Sequence, residues 1–271
     1  MEKVGRLPNF LILGAARSGT SSFAAELRGQ AGVFMPPKRP EPHFFLRDGE
    51  YAQGLGYYST RYFSAAPDDA IAVGEASTSY LCHRKVAERI ARDLPKARLF
   101  AMLRNPIVRA YSSYWHTVKH GYEQLPFWDA LQAEPTRATG AESDAALREN
   151  RPFAYLERGF YSGQIRAFWE NIPRERLSII LFDDFVVNPS KVVREAMSFL
   201  GFDPTRYNAP AEVDAEINQS TPTGRVMDDA SYEFLRDAYR EEVCDLSTLV
   251  NRDLMGWLNL RTDAVASARA A

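Results

Sequence analysis

The sequence predicts an α/β fold in which a central parallel sheet carries helices on its flanks. Three observations predict it. Four short apolar runs, Asn9–Leu13, Ala70–Gly74, Arg98–Leu103 and Leu177–Phe182, have strand length and the composition of strands buried on both faces. Segments of helical periodicity lie between them. The first run also passes through a small-residue loop, GAARSGTSSF, straight into a helix.

The elements follow in order. The spacing predicts a helix over Thr20–Gln30, with Phe23, Ala24 and Leu27 on one face and glycines following at Gly29 and Gly32. Arg84–Asp93 reads as the next helix. Asn105-Pro106 then marks a helix start, because Asn caps well and Pro is tolerated at the first helical position. In Ile107–His120 the residues Ile107, Ala110, Tyr111, Tyr114, Trp115 and Val118 form an apolar stripe of the kind that packs into a core. Gly121–Asn150 is polar and weakly periodic and reads as an insertion or flap. Tyr161–Asn171, Lys191–Leu200 and Asp228–Val250 complete the helices. One domain over 1–260 is expected, with 261–271 as a frayed tail.

The chain has 271 residues, 45% of them hydrophobic and 25% charged, with a formal net charge of −2. That is enough apolar material for a sizeable core, and it is not the composition of a disordered chain. The near-neutral balance argues against a broad nucleic-acid surface. No segment approaches the ~18 apolar residues of a membrane span, so a cytoplasmic protein is expected. Cys82 and Cys244 stand far apart without metal-ligand spacing, which argues against a structural zinc site and a disulfide framework and in favour of two free thiols.

The chemistry centres on Gly14–Ser22. Strand, small-residue loop and helix together make a phosphate cradle, in which backbone N–H groups and a helix N-terminus face an anion. The spacing is that of a Walker A loop, Gly-x-x-x-x-Gly, but Thr20 stands where its Lys belongs, and the cation comes earlier, at Arg17. A kinase or nucleotide hydrolase would also need a magnesium carboxylate, for which Asp183 and Asp184 are the candidates. A nucleotide-binding module without catalysis is the third reading.

The loop does not stand alone. LRNPIVRAYSSY, at Leu103–Tyr114, and PPKRPEPHFF, at Pro36–Phe45, accompany it. Together these motifs resemble the 3′-phosphoadenosine 5′-phosphosulfate (PAPS) dependent sulfotransferases, in particular the branch that holds the heparan sulfate enzymes and many bacterial relatives. The resemblance implies a P-loop-like sulfotransferase fold and in-line transfer of a sulfuryl group to a hydroxyl or amine, without a metal. Arg17, Ser18, Gly19, Thr20, Ser21 and Ser22 would bind the 5′-phosphosulfate, with Arg at a position where the family more often has Lys. Arg104 and Ser112 would bind the 3′-phosphate, a strand-end cation and a hydroxyl two helical turns along. Glu41 would be the base, with His43 orienting it or serving as the base itself.

Weaker matches extend the resemblance over most of Asn9–Trp257. GEASTSYL, at Gly74–Leu81, resembles a segment lining the acceptor cleft, which makes Glu75, Ser77 and Tyr80 acceptor-side candidates; many relatives carry Lys where Ala76 sits. RGFYSGQI at Arg158–Ile165 and the DDF…NP…FLGF pattern at Asp183–Phe202 also fit, and they account for Asp183-Asp184 without magnesium. NQSTPTGR resembles a loop closing over the nucleotide, with Thr223, Gly224 and Arg225 on the 3′-phosphate side. The acceptor is expected to be a small molecule or glycan, selected by segments such as Arg47–Ser64 and Gly121–Asn150. The aromatic residues Tyr57, Tyr58, Tyr62 and Phe63 could stack on a sugar or simply pack. Oligomeric state is not readable from the sequence.

Overall fold

The computed structural model describes residues 6–36, 41–138, 152–203, 222 and 225–261. Five parallel strands form the sheet: β1 (Phe10–Gly14), β2 (Val33–Phe34), β3 (Ala72–Ala76), β4 (Arg98–Leu103) and β5 (Leu177–Leu181), in the order β2-β3-β1-β4-β5. The expected α/β class with a parallel sheet is therefore observed. β1 lies at the centre, every residue buried, as its unbroken apolar run requires. The two-residue β2 carries no period-2 signal and was not expected.

The chain forms two compact units. The first, Met1–Leu103 with Gln164–Ile217, holds the sheet. Its helices include α1 (Thr20–Arg28), α2 (Asp48–Tyr51), α3 (Gly54–Phe63) and α4 (Arg84–Asp93). α1 places Phe23, Ala24 and Leu27 against the sheet, as the periodicity predicts. There Phe23 meets Phe100 edge-on, with ring centroids 5.4 Å apart, and Phe185 at 6.0 Å.

The second unit, Arg104–Gly163 with Asn218–Ala271, is helical among its described residues. It opens on α5 (Pro106–Lys119), where Asn105 Oδ1 accepts from the Ile107 and Val108 N–H groups and Pro106 takes the first helical position. The Asn105 amide also donates to the Trp257 carbonyl at 2.8 Å. Part of the polar segment expected to be an insertion is a helix, α6 (Phe127–Ala138). Its buried positions Phe127, Ala130, Leu131 and Glu134 have helical spacing, but an acid in the buried stripe and Pro135 within the helix disguise it.

α7 (Tyr161–Trp169) belongs partly to each unit. β5 is followed in the first unit by α8 (Phe182–Val187) and α9 (Pro189–Phe199), the latter capped by Asn188. Asp183 and Asp184 lie in the first turn of α8, where the helix dipole favours carboxylates. The single helix expected over Asp228–Val250 is two, α10 (Asp229–Ala238) and α11 (Arg240–Val250). Tyr239 breaks it. Its side chain is fully buried, its hydroxyl donates to the Leu156 carbonyl at 2.6 Å, and its ring occupies the space a Cβ on Gly159 would need.

Among the described residues, no helix is long and apolar enough to cross a membrane. Phe23→Ala should lower the unfolding free energy by about 3–5 kcal/mol, because it empties the centre of the β1–α1 layer; urea denaturation measures it.

Candidate active site

β1 delivers the chain to the loop at the carboxyl ends of the strands, where open α/β sheets bind ligands. Two residues of the loop take left-handed backbone, Arg17 at φ 70° and Gly19 at φ 82°. Gly19 is the N-cap of α1, so no side chain caps this helix, and its first turn holds no acid. A Cβ on Gly19 would come within 2.6 Å of the Phe182 ring, so the position requires glycine on two counts. Ser18 is fully buried, and its hydroxyl has no hydrogen-bond partner among the described residues. An uncapped helix start, a loop cation and an orphaned buried hydroxyl fit a phosphosulfate oxyanion. Arg17, Ser21 and Ser22 are half-buried and Thr20 is buried.

Glu41 faces this loop across a cleft lined by Thr20, Ser21, Arg28, Glu41, Ala76 and Thr78 among others. The Glu41 carboxylate accepts from the Thr78 N–H at 2.9 Å and from its hydroxyl at 3.1 Å. His43 Nε2 lies 3.3 Å from the same carboxylate. The Glu41 side chain is 30% exposed and the His43 side chain 11%. His43 also has left-handed backbone, at φ 50°, an unusual state for a non-glycine residue.

Glu75, Ser77 and Tyr80 are buried rather than part of the cleft lining. Tyr58 donates to Glu75 Oε1 at 3.1 Å and Ser77 donates to Oε2 at 2.8 Å. The Ser77 hydroxyl in turn accepts from the His43 N–H at 2.8 Å, and the Tyr80 hydroxyl accepts from the Phe45 N–H at 3.2 Å. Burial pushes the Glu75 carboxyl up to about 7, against the hydrogen bonds of Ser77, Tyr80 and Tyr58. Burial, reinforced by the Glu75 charge, also holds the Tyr58 and Tyr80 phenols well above their usual range, so both remain donors. Of the aromatic group, Tyr58 and Phe63 are packed, with Tyr58 stacked on Phe44 at 4.2 Å.

Arg28 escaped the sequence reading. It lies on one stripe of α1 with Thr20 and Ala24, a spacing of four that was there to be read. Its Nη2 donates to the Pro36 carbonyl at 3.2 Å, while its buried Nε has no acceptor among the described residues. Burial lowers its pKa.

In the second unit, Arg104 is half-buried at the start of the segment leading into α5, and its carbonyl accepts from the Tyr161 hydroxyl at 3.0 Å. Ser112 is buried on α5. Arg225 is exposed, with its guanidinium 5.5 Å from the centre of the Trp115 ring. Thr223 and Gly224 lie outside the described residues. Among the described residues no group of three or more His, Cys, Asp or Glu could hold a metal ion.

The raised Glu75 pKa has a thermodynamic sign. Between the unfolded value near 4.5 and about 7 the folded chain retains a proton that the unfolded chain releases, so stability falls as pH rises through this window. Relative to Glu75→Gln, the wild type should lose on the order of 3 kcal/mol across that window; urea titrations of both proteins at several pH values measure the difference.

Comparison with known proteins fixes the family. Residues 7–223 match the sulfotransferase domain family. Human bifunctional heparan sulfate N-deacetylase/N-sulfotransferase 2 is 28% identical over 274 residues, covering 91% of this chain and 30% of that protein. Mouse heparan sulfate glucosamine 3-O-sulfotransferase 3A1 is 24% identical, covering 72% of this chain and 46% of that protein. The chain thus spans less than half the length of either relative. The crystal structure of a sulfotransferase from Alicyclobacillus acidocaldarius superposes with a TM-score of 0.76 at 31% identity, covering 93% of this chain and 99% of the other. Mouse sulfotransferase SULT7A1, complexed with PAP, shares the fold with a TM-score of 0.55 at 12% identity, covering 98% of this chain and 90% of the other. The chain belongs to the sulfotransferase family.

Proposed function

We propose that this sulfotransferase moves a sulfuryl group from PAPS to a hydroxyl or amine of a glycan or related small acceptor, with Glu41 as the base. The observation that carries the reading is the shared cleft. The start of α1 and a partly exposed carboxylate line one cavity, so an anionic group and an acceptor proton can be handled side by side.

The donor, when bound, supplies the sulfuryl group and a phosphate leaving group. Arg17 and Ser18 to Ser22 would hold its 5′-phosphosulfate, with loop amides and guanidinium offsetting negative charge as the bond to the leaving phosphate breaks. Arg104, Ser112, Thr223, Gly224 and Arg225 are assigned to the 3′-phosphate. Glu41 takes the acceptor proton. Thr78 holds its carboxylate in place, which is the positioning an in-line displacement requires. His43, less exposed and outside the cleft lining, is placed to orient Glu41. Arg28 offers the cleft a cation for an acidic group on the acceptor, and the relatives named for heparan sulfate favour a carbohydrate.

Three predictions test this reading. Incubation with PAPS and a glycan panel should add ~80 Da to an acceptor by mass spectrometry, the increment of one sulfuryl group. Glu41→Gln should lower that transfer ~100–10,000-fold while 3′-phosphoadenosine 5′-phosphate still binds. Wild-type turnover in the variant would remove Glu41 as base and promote His43. Arg104→Ala should weaken 3′-phosphoadenosine 5′-phosphate by about tenfold or more, with AMP little changed, in calorimetric titrations. An equal loss for both ligands would take Arg104 off the 3′-phosphate.

A further inference from the structure

The backbone that presents Glu41 and His43 makes few regular-structure hydrogen bonds. It is a turn between β2 and α2, and His43 within it adopts a left-handed conformation. A turn of this kind keeps one geometry only where its surroundings over-determine it. Here the surroundings are hydroxyls. Ser77 accepts the His43 N–H, and Tyr80 accepts the Phe45 N–H. A hydroxyl can rotate, so on its own it does not hold a lone pair in one direction. The Ser77 proton is drawn to one place, since Ser77 donates to Glu75 Oε2 at 2.8 Å. Tyr58 from α3 occupies the other oxygen, Oε1.

We propose that Glu75 is a positioning residue for the base segment: its carboxylate fixes the proton of Ser77, so that the Ser77 lone pair holds the backbone N–H of His43. The inference deepens the reading of Glu41 and rests on it for its functional consequence. Glu75 is fully buried and outside the cleft lining. It acts on Glu41 through one relay, running carboxylate, Ser77 hydroxyl, His43 backbone N–H. A leucine in its place would remove the acceptor and free the Ser77 hydroxyl to rotate.

Cutting the relay at either end distinguishes positioning from general stability. In ¹⁵N-labelled full-length protein, Ser77→Ala should speed amide hydrogen exchange of His43 about tenfold and leave Phe45, held by Tyr80, unchanged. Glu75→Leu should do the same, while the amides of Phe10–Leu13 keep wild-type protection. With PAPS and a working acceptor, Glu75→Leu should lower kcat without raising the KM for PAPS. Unchanged exchange at His43 in Glu75→Leu overturns the proposal. So does uniform acceleration that includes Phe10–Leu13, which is the signature of global destabilisation. If Glu75→Leu does not fold, Ser77→Ala decides, since unchanged exchange at His43 there excludes the relay. Selective exchange effects accompanied by full turnover in Glu41→Gln would retain the relay and discard Glu41 as the base, so the two readings fail separately.

Discussion

At the carboxyl end of β1 the backbone of Gly14 passes so close to Thr78 that a Cβ there would lie 2.6 Å from the Thr78 carbonyl oxygen. The neighbouring bonds draw the same strands together. Ser77 donates to Ile12, Leu81 to Leu13 and Ala15 to Met102, at 3.1, 2.9 and 2.8 Å. This junction places the start of the anion loop beside the residue that holds Glu41. Loop and carboxylate therefore share one backbone reference. The proposed in-line transfer would depend on such shared positioning.

The chain keeps buried carboxylates and uses them in two ways. In the second unit, Glu134 accepts directly from the Leu156 and Glu157 N–H groups, and Glu242 accepts from the N–H and hydroxyl of Ser162. Each pins a chain segment by itself. Glu75 in the first unit meets a backbone N–H at one remove, through the Ser77 hydroxyl, and its burial outweighs its hydrogen bonds enough to bring its pKa to about 7. Holding that group in the core lowers stability above the acidic range, as functional sites commonly do. Tyr58, which donates to it, packs against Phe44 and Phe45 with ring centroids 4.2 and 5.4 Å away.

Much of the frame was legible because its signals are local. An apolar run of five or six residues specifies a buried strand wherever it pairs, so four of the five strands were identified, while the two-residue β2 carries no period to detect. The Asn105-Pro106 start of α5 was legible because capping depends only on neighbouring residues. The break at Tyr239 was not, since it depends on the notch at Gly159, eighty residues away. α6 escaped because its buried stripe includes Glu134, whose partners lie at Leu156 and Glu157.

The same division holds at the site. By itself the sequence determined an α/β frame and marked a candidate anion loop, with Thr20 at the Walker lysine position and Arg17 earlier, and Glu41 and His43 as a motif, because spacing along the chain encodes these. Only the tertiary structure decided which groups face the cleft. It opened Glu41 and Arg28 to the cavity and withdrew Glu75, Ser77 and Tyr80 into the interior. Strand alternation alone assigns a side chain to one of two faces, but it does not say what covers that face. For Glu75 the answer came from α3 and its Tyr58, and burial of this kind is set by residues distant in sequence.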